Sequence, residues 1–87
     1  MRPLVSWMTK SDPALLEFFE EVGIAMPPAV VSYNIDGVSH PTVKRRLPLL
    51  EENGLLEKVD SDRGYYRITD RGRAYLAGDL DADDLET

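Results

Sequence analysis

The chain has 87 residues, no cysteine, one histidine and one tryptophan, and its 16 carboxylates against 10 Lys and Arg give a net charge of −6. This length suits one domain of roughly 100 residues, and the composition excludes a disulfide framework, a cysteine-ligated zinc site and any apolar run near the ~20 residues that span a bilayer. An apolar fraction of 43% is globular usage rather than that of a disordered chain, while the acidic total, taken alone, argues against nucleic acid as a partner.

Residues 1–10 read as an N-terminal extension, with Leu4, Val5, Trp7 and Met8 around one proline. The extension lacks the apolar core of about 7–15 residues that a signal peptide needs, so a cytoplasmic location is expected. Trp7 and Met8 are expected to cover the core or a dimer seam. Ser11-Asp12-Pro13 then reads as a helix start. Ser11 or Asp12 can cap the free amides, and Pro13 fits the first helical position, where no amide bond is lost. Leu15, Leu16, Phe18, Phe19 and Val22 follow at helical spacing with Glu17, Glu20 and Glu21 outside, and Gly23 ends the helix.

Ile24-Ala25-Met26 suggests a minimal edge strand. Pro27-Pro28 opens a second helix of about two turns through Ala29, Val30, Val31 and Tyr33. Asn34-Ile35-Asp36-Gly37 is a turn. Ser39 is the N-cap candidate of a third helix, spanning about 39–53, whose inward stripe is Val43, Leu47 and Leu50 with Arg46 at the margin. Lys44, Arg45 and Glu52 fall near the opposite face, and Asn53-Gly54 supplies the C-terminal cap. Pro48 removes an amide and crowds the Lys44 carbonyl; a kink with a continuing helix is expected, because Leu47, Leu49 and Leu50 need burial. Leu55 to Val59 and Tyr65 to Ile68 read as two strands joined by the polar turn 60–64. Thr69 caps a last helix, Asp70 to Ala77, which Gly78 closes.

The expected order is helix, short strand, helix, turn, helix, hairpin, helix. A helix-turn-helix followed by a hairpin is a winged helix-turn-helix. The fold class is therefore α+β: a three-helix core, a β-hairpin wing and a C-terminal helix over residues 11–78. The remainder, 79–87, is acidic and is expected to be disordered. This arrangement leaves the N-terminal half of the third helix free for a major groove about 12 Å wide, with the 60–64 wing on the adjacent backbone or minor groove.

Charge is unevenly placed. Residues 1–39 carry two bases and five acids, residues 40–73 eight bases and six acids, and residues 74–87 five acids and no base. Nine of the acids are Asp, and Arg outnumbers Lys seven to three. Such an acidic, Asp-rich, Lys-poor composition is what concentrated salt favours, because carboxylates hold water and cations and salt screens their repulsion. A halophilic origin is expected.

Two segments carry a family resemblance. Ser39-His40-Pro41-Thr42-Val43-Lys44-Arg45-Arg46-Leu47, with Leu50-Glu51-Glu52-Asn53-Gly54-Leu55-Leu56, resembles the recognition helix and exit of winged-helix regulators of the arsenic-repressor and multiple-antibiotic-resistance types. Tyr66-Arg67-Ile68-Thr69-Asp70-Arg71-Gly72-Arg73-Ala74-Tyr75-Leu76-Ala77-Gly78 looks like the wing exit and last helix of halophage-repressor-like proteins of haloarchaea. Those proteins also carry a Trp-Met near the N-terminus, as Trp7-Met8 do here. The likeness covers roughly residues 7–80, with Pro48 a departure from the pattern, and implies a sequence-specific regulator of double-stranded DNA.

The residues distribute the expected contacts. Arg45, opposite the buried stripe, suits a guanine edge or a phosphate; the alternative is a solvated ion pair. Lys44 suits a phosphate. Arg46 can pack its stem and reach a backbone phosphate with its head. Thr42 and His40 lie in the first turn, where bases are met, although a lone His is equally often structural or simply exposed. Ser39 caps the helix, and its amide can also meet a phosphate. Arg63 at the wing tip suits the minor groove or a phosphate, or is a plain turn residue; Arg67 is a further candidate within a strand. Arg71 and Arg73 can balance nearby acids, and Tyr65, Tyr66 and Tyr75 suit core or cross-strand packing.

An enzyme is not expected: there is no phosphate-binding Gly-Lys-Ser/Thr loop, no nucleophilic set at recognisable spacing and no cysteine. No cofactor or metal is expected, since Asp81, Asp83 and Asp84 lack a calcium-loop pattern. Neither a membrane nor a small-molecule effector is an expected partner. A homodimer on a pseudo-palindrome is expected, its seam in Leu4, Val5 and Trp7 or in the last helix, and repression by occluding polymerase is favoured over activation. The rival is a winged-helix module that binds protein. A basic helix-3 face favours DNA, and an acidic or apolar one favours the rival.

Overall fold

A computed structural model describes residues 5–80 and residue 84. Leu4, Asp81, Asp83 and most of the expected acidic tail lie outside the described residues. The elements are α1 (Ser11–Val22), α2 (Pro28–Asn34), α3 (His40–Glu52), β1 (Leu56–Asp60), β2 (Tyr65–Ile68) and α4 (Asp70–Leu76). The order is that of an α+β winged helix-turn-helix.

The helices pack because their apolar residues recur on one side. Leu15, Leu16 and Phe19 of α1, Val31 of α2, and Val43, Leu47 and Leu50 of α3 all lie inside. Gly23 ends α1 in the left-handed region at φ 74°, and its amide donates to the Phe19 carbonyl at 2.9 Å. Val22 departs from the expected stripe and is 41% exposed, since the last turn of α1 runs past the core. Leu49, also expected inside, is 37% exposed: Leu47 and Leu50 already fill the inward side of α3, and position 49 falls beyond its edge. The helix continues through exposed Pro48 to Glu52. Pro48 has no amide to donate to the Lys44 carbonyl, so the helix continues there one backbone bond short.

The described part of the N-terminal segment, residues 5–10, packs on the core. Val5 and Met8 are buried in the core and Trp7 packs against it. Neither Ser11 nor Asp12 caps α1; Lys10 precedes the helix without a side-chain cap bond. Asp12 instead turns inward and is fully buried.

The strands pair antiparallel, Leu56 with Ile68, Glu57 with Arg67 and Lys58 with Tyr66, and a register shift at Val59 brings Asp60 opposite Tyr65. The strand starts one residue later than expected, because the Leu55 amide closes the α3 exit on the Leu50 carbonyl at 3.0 Å. The expected edge strand is a single bridge. Met26 donates to the Tyr66 carbonyl at 2.8 Å and accepts from the Tyr66 amide at 2.9 Å. Thr69 caps α4, its hydroxyl accepting from the Gly72 amide at 3.0 Å and donating to the Gly54 carbonyl at 2.6 Å. Gly72 is buried so tightly that a Cβ there would stand 2.3 Å from the Leu55 carbonyl oxygen. The hairpin and α4 thus clamp the exit of α3 and fix its orientation.

Candidate nucleic-acid interface

Helix α3 divides along its length as well as across it. Val43, Leu47 and Leu50 anchor one side in the core. The exposed side begins with His40, Pro41, Lys44 and Arg45 and ends with Glu51 and Glu52. Lys44 and Arg45 make no ion pair or side-chain hydrogen bond among the described residues, so both cations face solvent uncommitted.

Ser39 caps α3 from an extended backbone, φ −72° and ψ 155°. Its Oγ accepts from the Thr42 amide at 3.4 Å and shares a hydrogen bond with Thr42 Oγ1 at 2.8 Å. Ser39 and Thr42 are therefore linked to each other, with Thr42 half-buried at the margin. Exposed His40 is tied to α2: its Nδ1 lies 2.6 Å from Ser32 Oγ.

Arg46 has an internal role. Its Nε donates to Asp12 Oδ1 at 2.9 Å, and its Nη2 donates to Asp12 Oδ2 at 2.7 Å and to the Trp7 carbonyl at 2.9 Å. Asp12 also accepts from the Thr9 amide at 3.1 Å. The bidentate pair joins α3 to α1 and to the N-terminal segment, with Arg46 13% exposed and Asp12 not at all. The hydrogen bonds that Arg46 donates to Asp12 raise the guanidinium pKa above its usual value, against the lowering effect of burial. The guanidinium thus points to the core, where the sequence suggested a backbone phosphate.

In the wing, Asp60 Oδ1 accepts from the amides of Asp62 and Arg63, both at 3.1 Å, and shapes the tip. Arg63 is 76% exposed, its Nε 3.8 Å from Asp60 Oδ2. Arg67 donates to Glu57 Oε1 across the hairpin at 2.6 Å. Arg73 joins α4 to α1 through Glu20 at 2.9 Å and also meets Asp70 at 3.1 Å, while Arg71 donates to the Asp84 carbonyl. Lys58 stands 5.4 Å over the Tyr66 ring. Tyr66 and Tyr75 are buried, and Tyr65 is half-buried.

The structure therefore gathers Ser39, His40, Thr42, Lys44 and Arg45 at one end of α3, leaves Arg63 exposed on the wing, and engages Arg46 and Arg67 in pairs within the fold. Sequence reasoning missed two partners, Asp12 of Arg46 and Ser32 of His40. Asp12 carried a helix-start signal that masked its other use, and Ser32 carried none. Among the described residues no group of three or more His, Cys, Asp or Glu is placed to hold a metal, and no helix is long and apolar enough to cross a membrane.

Known proteins place this geometry in context. Residues 1–87 match the winged helix-turn-helix phage repressor family. A repressor protein of Halobacterium phage phiH is 33% identical over 88 residues, covering 99% of this chain and 98% of that protein. The crystal structure of the PhiH1 repressor-like protein from Haloarcula marismortui superposes with a TM-score of 0.81 at 37% identity, over 94% of this chain and 91% of that one.

Proposed function

The chain belongs to the winged helix-turn-helix phage repressor family, and we propose that it represses transcription by inserting the N-terminal half of α3 into the major groove of duplex DNA. The wing tip at Arg63 lies along the adjacent backbone or minor groove. The observation that carries this reading is the uncommitted pair Lys44 and Arg45. Arg46, Arg67 and Arg73 are held by carboxylates within the fold, whereas these two cations stand free beside the start of a helix whose amide dipole also favours an anion.

Lys44 serves as a point charge on a phosphate. Arg45, with its planar fork, reads a guanine edge or clamps a phosphate. A homodimer on a pseudo-palindrome doubles these few contacts, at half-sites about one helical turn apart, and occupancy excludes polymerase. The relatives from a halobacterial phage and a haloarchaeon fit the acidic, Asp-rich composition of a chain adapted to molar salt.

The test is selection from random duplexes in molar KCl, then affinity for the enriched sequence across a salt series. Lys44→Ala is expected to weaken binding to all duplexes alike and to lower the slope of log affinity against log salt by about one. Arg45→Ala is expected to lose about 1–3 kcal/mol on the enriched duplex and less on a scrambled one. Wild-type affinity and slope in both variants would refute the α3 interface.

A further inference from the structure

The contact between His40 and Ser32 fixes more than a side-chain position. Ser32 Oγ lies 2.6 Å from the Pro28 carbonyl oxygen and 2.6 Å from His40 Nδ1. Two oxygens approach this closely only with a proton between them. A carbonyl can only accept, so the single hydroxyl proton of Ser32 goes to Pro28. Ser32 Oγ must then accept from His40, and Nδ1 carries the ring proton. In the neutral imidazole this leaves Nε2 with a lone pair and no hydrogen. That nitrogen is on the far side of the ring from Ser32, in a residue exposed to solvent at the first position of α3.

Resting on the DNA-binding reading above, we propose that His40 is a specificity-determining residue whose outward Nε2 accepts a hydrogen bond from a base amine in the major groove, adenine N6 or cytosine N4. The polarity follows from the lock. Phosphate oxygens, guanine O6 and N7, and thymine O4 are all acceptors, and a bare nitrogen lone pair cannot bond to any of them. Only adenine and cytosine present a donor on the major-groove edge. Neutral His40 is therefore neither a phosphate contact nor a guanine reader. It divides labour with Arg45, which offers only donors and suits guanine or phosphate. With the ring neutral, the recognition end of α3 thus carries one donor and one acceptor, the second set by a hydroxyl on the preceding helix. Ser32 is the positioning residue, since it holds the ring and sets its tautomer without touching DNA.

Two measurements test this. The first uses the free full-length protein in buffer alkaline enough for a single neutral imidazole form. A long-range proton–nitrogen correlation spectrum is expected to show Nδ1 protonated and Nε2 bare, and Ser32→Ala is expected to shift the ring toward the opposite tautomer. A protonated Nε2 in the wild type overturns the proposal. The second compares sequence selections by the wild type, His40→Ala and Ser32→Ala. One half-site position is expected to favour adenine or cytosine over guanine or thymine by about three- to tenfold, the range of a single hydrogen bond. His40→Ala is expected to lose that preference and keep the rest of the motif; Ser32→Ala is expected to weaken it. A wild-type motif left unchanged by His40→Ala overturns this proposal alone. A wild type that enriches no motif overturns the DNA reading and this proposal with it.

Discussion

Arg46→Met separates a structural arginine from a DNA-binding one. Methionine keeps the length of the side chain and its apolar packing but removes the charge and every donor. Asp12, with none of its surface exposed, is left with the Thr9 amide at 3.1 Å and the Thr9 hydroxyl at 3.4 Å. Stranding one partner of a buried pair costs about 3–5 kcal/mol. Arg46 retains 13% exposure in the wild type, so some water reaches the site, and the lower end, about 3 kcal/mol, is expected. A domain of this size is stable by about 4–13 kcal/mol in all. With a urea slope of about 1.5 kcal/mol/M, the midpoint should fall by about 2 M. The drop should persist in molar KCl, because buried pairs are screened far less than exposed ones. Asp12→Asn added to Arg46→Met should recover about 2 kcal/mol, since the stranded charge is removed while an acceptor for Thr9 remains. Urea unfolding of the three proteins at fixed salt reads all of this. A loss below ~1 kcal/mol in Arg46→Met, with a fall in DNA affinity, would refute the internal role and return Arg46 to the interface.

Gly72→Ala should destabilise by about 3 kcal/mol in the same assay. The added carbon meets the Leu55 carbonyl at 2.3 Å and Ile68 Cγ1 at 2.7 Å, and this overpacking exceeds the ~1 kcal/mol by which Ala favours a helix. Thr69→Ala should cost about 1–2 kcal/mol through loss of the α4 cap and of the bond to the Gly54 carbonyl. For the whole chain, the urea midpoint should rise between about 0.1 M and 2 M KCl, as the Debye length falls from about 10 Å to about 3 Å or less and the net charge of −6 ceases to repel itself. Equal stability at the two salt concentrations would remove the halophilic reading.

What was legible in the sequence was what depends on neighbours along the chain. The four helices, the hairpin and the caps at Ser39 and Thr69 follow from local spacing and local hydrogen-bond chemistry. Asp12 shows where such reasoning stops. Ser11-Asp12-Pro13 has the residue types of a helix start, yet the carboxylate is taken by Arg46, a partner 34 positions away. Ser32 and His40 are eight positions apart across a turn, and no periodicity marks that pair. Leu49 and Val22 were misplaced because an apolar residue in an amphipathic helix does not have to be buried. No local pattern marks Gly72, yet the Leu55 backbone passes too close for any side chain there.

The net charge and the polyanionic partner are compatible because of where charge sits on α3. Lys44 and Arg45 occupy its first half, Glu51 and Glu52 its last turn. Seven residues separate Lys44 from Glu51, a rise of about 10 Å at ~1.5 Å per residue. A helix lying flat along the groove would bring those carboxylates against phosphates; one entering by its N-terminal end keeps them a full Debye length away at about 0.1 M salt. The helix dipole favours the same approach, with its positive end toward DNA. In molar salt the Debye length shrinks to about 3 Å, so the distant acids no longer matter and counterion release loses most of its drive. Selectivity then rests on groups that touch the duplex directly. In the proposed interface, Arg45 as donor and His40 as acceptor, the latter set by Ser32, would act at contact distance, where salt does not screen them. On that proposal, a chain of this composition reads DNA through short-range hydrogen bonds, which leaves its net charge free to answer to the solvent.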